Sequence, residues 1–158
     1  MPINKDFEEL FHHLNTAGAE YIVVGAYAVI YHTEPRYTKD IDIWINPNPR
    51  NAVKVYEALK KFGAPLRDLT PEDLSNSKMV YQIGIEPNRI NVLMGIGTLP
   101  FKEAWEKRCE DRCGSEKIFV LGLEETIRAK KEAGRPHDER DLEILEQAKK
   151  RQEKKSRR

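Results

Sequence analysis

A run of six strictly alternating residues, Asp40-Ile-Asp-Ile-Trp-Ile45, constrains the fold of this chain more than any other segment. A period of two predicts a β-strand whose isoleucines face a core while Asp40 and Asp42 share the opposite face. A short apolar run at 21–24 predicts a buried strand before it, and Gly25 separates that strand from a short helix. The sequence therefore predicts a strand–glycine–helix–strand unit that ends on paired carboxylates.

Hydrophobic spacing along the rest of the chain predicts further helices and strands. Apolar residues recur every three or four positions in the helical segments, and glycine or proline stands at most of their ends. This order of elements predicts an α/β (α+β) domain in which a small mixed sheet is flanked by helices, with more helices at the C-terminus. The predicted helices span 4–17, 26–32, 49–63, 101–113, 123–133 and 138–152, and the predicted strands span 21–24, 40–45, 80–86, 89–94 and 117–121.

Charge is distributed unevenly along the 158 residues. Residues 149–158 carry seven basic side chains and one acidic one, whereas residues 1–148 carry 20 basic and 25 acidic side chains. This division predicts a single domain over 1–148 with a basic C-terminal tail at 149–158. Such a tail can bind a phosphate backbone, although a run of charges is more often a solvated helix end, where cations also suit the helix dipole.

The composition argues against a membrane-spanning or exported protein. No apolar run approaches the roughly 18 residues that a membrane span needs. The first nine residues are polar and acidic, unlike a secretory signal. Cys109 and Cys113 are too few for a disulfide framework, and no cluster of histidines accompanies them for zinc binding. We therefore expect a cytoplasmic protein with structural thiols.

Asp40 and Asp42 point to the same face of the predicted strand, with backbone positions roughly 6–7 Å apart. Two ionised carboxylates this close repel each other, and a divalent cation between them removes that cost. Mg²⁺ binds carboxylate oxygens together with substrate phosphates, and the bare backbone of Gly25 at a helix start suits phosphate oxygens. The surrounding strands and helix favour such a site over the simpler interpretation, in which the aspartates lie on the solvent face of an edge strand.

Gly25-Ala26 followed by Arg36-Tyr-Thr-Lys-Asp-Ile-Asp-Ile43 resembles the signature of the DNA polymerase beta-like nucleotidyltransferase superfamily. The Arg-x-Thr-x-Asp-Ile-Asp form is similar to that of the abortive-infection (AbiEii-type) toxin nucleotidyltransferases and their uncharacterised relatives. The resemblance covers about residues 18–146. It includes three later segments, namely Phe101 to Trp105, Val120 to Lys130 and Ala133 to Leu142.

The resemblance implies a nucleotidyltransferase fold and transfer of a nucleoside monophosphate from an NTP, with ATP the expected one, to a hydroxyl of RNA or protein. It makes Asp40 and Asp42 catalytic residues that hold Mg²⁺, and it places Asp138 and Asp141 as braces beside the pocket. A toxin–antitoxin partner protein is a further expectation. The residues implied to bind the nucleotide are Gly25, Ala26, Arg36, Thr38, Lys130 and Arg135, with Lys130 facing the phosphates.

Two positions depart from the family pattern. Ala26 stands where the family has glycine or serine, and its backbone N–H can still serve. Asn91 stands at the third catalytic carboxylate; being neutral, it is a weak metal ligand and cannot act as a general base. The second departure leaves two alternatives to an active enzyme: a catalytically degenerate module that binds nucleotide or RNA, and an antitoxin-like module that binds another protein.

Overall fold

The structure is a computed structural model that describes residue 1 and residues 4–157. Arg158, the last residue of the predicted basic tail, lies outside the described residues. The helices are α1 (Lys5–Thr16), α2 (Ala26–His32), α3 (Pro49–Phe62), α4 (Phe101–Glu106), α5 (Leu123–Ala133) and α6 (Glu139–Ser156), with 3₁₀ turns at Asp73–Ser75 and Pro136–Asp138. The strands are β1 (Tyr21–Val24), β2 (Asp40–Ile45), β3 (Val80–Ile83), β4 (Arg89–Leu93), β5 (Cys109–Cys113) and β6 (Glu116–Val120).

Six strands form one mixed sheet in the order β3-β4-β2-β1-β6-β5. β1 pairs antiparallel with β2 and parallel with β6, while β2 pairs parallel with β4. Antiparallel pairs of β3 with β4 and of β5 with β6 complete the two ends of the sheet. The predicted fold class is confirmed. β2 lies in the interior of the sheet, so the edge-strand interpretation of its two aspartates is wrong.

One face of the sheet is apolar and forms the main core. It carries Ile41, Ile43 and Ile45 of β2, and α1 and α3 pack on it and against each other. The side chain of Tyr21 on β1 stacks on Phe11 of α1, with ring centroids 5.6 Å apart. Helix α1 presents its apolar stripe to this face because its buried residues recur at helical spacing.

The opposite face carries the polar half of β2 and is covered by shorter helices. Trp44, the last residue of this face on β2, is fully buried and meets Phe101 of α4 edge to face at 5.1 Å. Helices α2, α5 and α6 join each other through a second apolar cluster. The buried members of that cluster are Val29, Leu123, Ile127, Leu145 and Ala148.

The predicted helix over 101–113 is wrong in its second half. α4 ends at Glu106, and Cys109–Cys113 forms β5, which turns back into β6 through Gly114 and Ser115. Gly114 has a φ of +59°, so it supplies the left-handed turn of a two-residue hairpin rather than the end of a helix. Three charged residues separate the two cysteines of β5. The apolar alternation that identifies a strand is therefore missing, and pairing with β6 determines the conformation.

α6 is 18 residues long and continues past its last buried residue, Ala148. Its first half packs on α5 and α2, whereas all its residues from 150 to 156 are exposed. Over the part of the chain that the structure describes, no helix combines the length and apolar character that a membrane crossing would need.

Candidate functional site

The paired carboxylates lie at the start of β2, and the neighbouring strand supplies a polar partner for each. The parallel register of β2 and β4 places Asp40 beside Arg89 and Asp42 beside Asn91. Arg89 Nη2 donates to Asp40 Oδ2 over 2.9 Å, and Asn91 Nδ2 donates to Asp42 Oδ1 over 2.8 Å. A longer hydrogen bond of 3.4 Å joins Asn91 Nδ2 to Asp40 Oδ2. The four side chains therefore form one polar cluster on one face of the sheet.

Burial and charge both act on Asp42. Burial raises the pKa of this carboxyl, and the negative charge of Asp40 raises it further, while the hydrogen bond from Asn91 opposes the shift. Asn91 Oδ1 is also buried and finds no hydrogen-bond partner among the described residues. A cation beside Asp42 would relieve the repulsion from Asp40 and give the carboxylates a counter-charge.

Gly25 forms the turn between β1 and α2, and its backbone lies against Asp42. Its φ of +67° and ψ of −143° belong to a region that residues with side chains avoid. A Cβ at this position would lie 2.2 Å from Asp42 Oδ2, far inside van der Waals contact. Both the backbone conformation and the space beside the carboxylate therefore require glycine.

A cavity of about 420 Å³ opens over this cluster, between the sheet and α5. Gly25, Asp42 and Asn91 line the side formed by the sheet, and Lys130 and Arg135 line the helical side. The volume falls within the range of small-molecule sites, about 300–1,000 Å³. The apolar residues of its walls include Val24, Leu93, Ile96 and Leu121.

Lys130 is held at the cavity by a network of ion pairs. Its Nζ donates to Asp138 Oδ1 over 2.9 Å and lies 3.3 Å from Asp141 Oδ2. Arg135 Nε donates to Asp138 Oδ2 over 2.8 Å, and the guanidinium of Arg36 donates through two nitrogens to Asp141. Both aspartates are buried, and each has two cationic partners, as buried carboxylates require.

These cations determine the protonation of the two aspartates. Burial opposes ionisation of Asp138, but the hydrogen bonds and charges of Lys130 and Arg135 outweigh it and hold its pKa below the ordinary value. The hydrogen bonds from Arg36 are the largest cause of the lowered pKa of Asp141, and the charge of Lys130 adds to it. Both aspartates are therefore ionised at neutral pH, and they fix the ammonium group of Lys130 in place.

The carboxylate pair fits a hard divalent cation. Asp40 and Asp42 supply neighbouring carboxylates, and the unpartnered Oδ1 of Asn91 is a buried amide oxygen beside them. Within residues 1 and 4–157, no group of three or more His, Cys, Asp or Glu side chains is placed to hold a metal ion. Mg²⁺ commonly binds through one or two carboxylates together with substrate phosphates. The donors therefore fit a cation that enters with a phosphorylated ligand.

The structure brings most of the predicted site residues to one place. Asp40 is not part of the cavity lining, but it accepts a hydrogen bond from Asn91, which is. The predicted residues that line the cavity are Gly25, Asp42, Asn91, Lys130 and Arg135.

Three predicted nucleotide-binding residues lie outside this lining. Arg36 pairs with Asp141 and borders a second cavity of about 390 Å³. Thr38 Oγ1 donates to the backbone oxygen of Asp40 over 3.3 Å. Ala26 is the first residue of α2, directly after Gly25. Their roles toward a nucleotide stay predictions.

Two polar residues of the site were missed from the sequence. Arg89 binds Asp40, and it could have been found because it precedes Asn91 by two residues on one strand and so shares its face. Gln82 on β3 lines the cavity opposite Asn91. The signal for Gln82 is weaker, since its position depends on the register of β3 against β4.

Comparison with known protein families places residues 1–150 of the chain among nucleotidyltransferases. Residues 1–150 match the family described as "Nucleotidyltransferase of unknown function (DUF6036)". A solved structure of a Thermotoga maritima protein assigned to the nucleotidyltransferases is 16% identical, with a TM-score of 0.57, and the match covers 96% of this chain and 91% of the other. The lincosamide antibiotic adenylyltransferase with lincomycin bound is 12% identical, with a TM-score of 0.57 and coverage of 91% and 97%.

No curated protein matches the sequence. At identities this low, the likeness to the two solved structures establishes the fold alone. The arrangement of carboxylates and cations around the cavity must therefore support any statement about chemistry.

Proposed function

We propose, from the premise that this chain belongs to the DUF6036 family of nucleotidyltransferases of unknown function, that it transfers a nucleoside monophosphate from a Mg²⁺-bound NTP to a hydroxyl group. The observation that carries the proposal is the cavity in which Asp42, with Asp40 beside it, stands opposite Lys130. This arrangement of charge suits a ligand that carries both phosphates and a bound cation.

Asp40 and Asp42 would hold Mg²⁺, which in such reactions neutralises charge that develops on phosphate oxygens. In the transfer, a bond forms between the acceptor oxygen and the α-phosphorus while the bond to pyrophosphate breaks, and the proton of the acceptor hydroxyl passes to water. Asn91 orients the carboxylate of Asp42 through its 2.8 Å hydrogen bond. The missing side chain of Gly25 leaves room for phosphate oxygens beside that carboxylate.

Lys130 is the cation that we assign to the phosphates. Its two aspartate partners fix the ammonium group before any ligand binds, so little side-chain entropy remains to be lost on binding. Arg135, whose side chain is more exposed, stands beside it on the cavity wall. Positive charge positioned in advance is the feature that stabilises developing negative charge most effectively.

ATP is the nucleotide that we propose, and adenylyl transfer by one of the two structural neighbours supports that choice. We propose a hydroxyl of RNA or protein as the acceptor. A role as the toxin of a toxin–antitoxin pair extends the same proposal, since the motif around Asp40 and Asp42 resembles that of AbiEii-type enzymes.

Calorimetric titration of the four NTPs, with and without Mg²⁺, tests the proposal. We expect at least one NTP to bind in a Mg²⁺-dependent manner, and Asp42→Asn to weaken that binding at least about tenfold by removing a metal-binding charge at constant volume. Asp68→Asn is the matched control, because Asp68 is exposed and lies outside the cavity lining. NTP binding that is the same with and without Mg²⁺ would contradict the proposal. An equal loss of NTP affinity in the two variants would contradict it as well.

Asn91 supports a second candidate, a nucleotide-binding module that has lost catalysis. Its amide donates to both carboxylates, where a third carboxylate would instead add metal-binding oxygens. Asn91→Asp separates the two candidates in an assay for transfer of labelled nucleotide. We expect the natural protein to transfer nucleotide, and we expect the variant to do so at a lower Mg²⁺ concentration. Transfer that appears in the variant alone would identify the natural protein as a binding module.

A further inference from the structure

The C-terminal end of α6 carries an exposed cationic face, and we propose that this face binds the phosphate backbone of RNA. We use the name cationic face for the surface formed by Lys150, Arg151, Lys154 and Lys155. All four residues are exposed, and the helix continues through them to Ser156. The segment is thus an ordered helical surface that extends beyond the last buried residue of α6.

Helical geometry places the four cations on one side. At about 100° per residue, positions 150, 151, 154 and 155 fall within an arc of about 140°. Gln152 and Ser156 lie on the other side of the helix, and Glu153 lies on its flank. The four positive charges therefore face a partner together over about 8 Å of helix length.

The charge of the molecule is segregated toward this face. Residues 1–148 hold more acidic than basic side chains, whereas the tail holds seven basic residues against Glu153. Among the described residues, none of the four cations belongs to an ion pair, unlike Lys149, which lies 3.9 Å from Glu124. Unpaired cations clustered on one side complement a regularly charged polyanion.

The composition of the segment favours a nucleic acid over a lipid surface. Residues 149–157 include no apolar side chain, and an interfacial membrane helix needs an apolar face to bury among the acyl chains. The segment also lacks aromatic residues that would stack on bases. The cationic face would therefore recognise the phosphate backbone through charge, independent of the base sequence of the RNA.

The choice of RNA rests on the proposed function, which requires a hydroxyl acceptor, since RNA carries a 2′-hydroxyl on every nucleotide. Lys154 follows Asp141 of the ion-pair network by 13 positions on the same helix, or about 20 Å. A mononucleotide in the cavity cannot span that distance, whereas a polymer can. The face would thus hold the acceptor strand away from the site of chemistry.

Fluorescence anisotropy with a labelled single-stranded RNA, without NTP or Mg²⁺, tests the proposal on the full chain. In the variant with Lys150, Arg151, Lys154 and Lys155 replaced by alanine, we expect affinity to fall at least about tenfold. We also expect the slope of log K against log salt to decrease by about 3, or about 0.7 for each lost phosphate contact. Alanine preserves helix propensity, and circular dichroism checks that α6 persists.

A matched variant removes the same charge elsewhere. Arg50, Lys54, Lys60 and Lys61 are exposed on α3, and their replacement by alanine should leave RNA affinity within about twofold of the natural protein. Equal losses in the two variants would overturn the proposal, since net charge alone would then explain binding. Tighter binding to DNA of the same sequence, or to phosphatidylserine vesicles, would overturn it as well.

The Asp42→Asn variant separates this inference from the proposed function. It should bind RNA as the natural protein does while losing Mg²⁺-dependent NTP binding. If no NTP binds to the natural protein but RNA binding depends on the cationic face, the proposed function is wrong and the assignment of the cationic face to RNA is supported. If NTP binds and RNA does not, only the assignment of the cationic face to RNA is wrong.

Discussion

Replacing Gly25 with alanine should strongly weaken nucleotide binding and should lower the free energy of unfolding. The added Cβ would lie 2.2 Å from Asp42 Oδ2, so the carboxylate of Asp42 must shift from the position in which it accepts the hydrogen bond from Asn91. The backbone at φ +67° and ψ −143° adds strain of roughly 1–3 kcal/mol for any residue with a side chain. We expect a loss of about 3 kcal/mol in the free energy of unfolding and at least about 100-fold weaker NTP binding.

Gly63→Ala is the control for the Gly25 prediction. Gly63 also has a positive φ, +92°, but no atom lies within 4 Å of a Cβ built there. We expect this variant to lose about 1 kcal/mol and to retain NTP binding. Urea unfolding and calorimetric titration of both variants measure the two effects. Similar losses of NTP binding in the two variants would show that the contact with Asp42 is unimportant.

Lys130→Met should be the second most damaging change. The side chain of Lys130 is 11% exposed, and its removal leaves the buried carboxylates of Asp138 and Asp141 with one cationic partner each. Breaking a buried ion pair from one side costs about 3–5 kcal/mol, and the remaining arginines place the expected loss near the lower value, about 3 kcal/mol. NTP affinity should fall in parallel if Lys130 contacts the phosphates.

Lys131→Met provides the comparison within the same helix. Lys131 pairs with Glu146 over 3.0 Å, but its side chain is 61% exposed, so the expected loss in the free energy of unfolding is below about 1 kcal/mol.

The pH dependence of stability provides a second test of the ion pairs that Lys130 makes with Asp138 and Asp141. Because the cations beside Asp138 and Asp141 hold the pKa values of both carboxyls below that of a free aspartate, their contribution to stability is complete above the free value and disappears as the pH falls through their lower folded values. The difference in free energy of unfolding between the natural protein and Lys130→Met should therefore narrow as the pH falls below the ordinary pKa of aspartate. A difference that stays constant would argue against the ion-pair network.

The polar half of the site could be predicted because its residues lie close together in sequence. Asp40 and Asp42 share a face through the period of two, and Gly25 precedes them by a single short helix. The family resemblance places Asn91 at the third carboxylate position, and the register of β2 and β4 brings it beside Asp42. Local pattern and motif sufficed for these residues.

The rest of the site depends on contacts that no local pattern encodes. Arg36 donates a hydrogen bond to Asp141, 105 positions later in the sequence. No periodic pattern in the sequence can relate two charged residues that are so far apart. β5 was misread for a similar reason, since its strand conformation comes from pairing with β6. Tertiary partners, rather than propensity, decide such segments.

The order of the strands has a consequence for biosynthesis. β1 lies in the middle of the sheet but pairs with β6, which is made near the end of the chain, and Lys130 and Asp141 are made later still. At about 5–20 residues per second, translation separates the appearance of Asp42 from that of Asp141 by roughly 5–20 s. During that interval the nascent chain holds Asp42 without Lys130, the cation on the opposite wall of the cavity, although Arg89 is already present beside Asp40. The cavity between the sheet and α5 is therefore complete only after the C-terminal helices have been made and have docked.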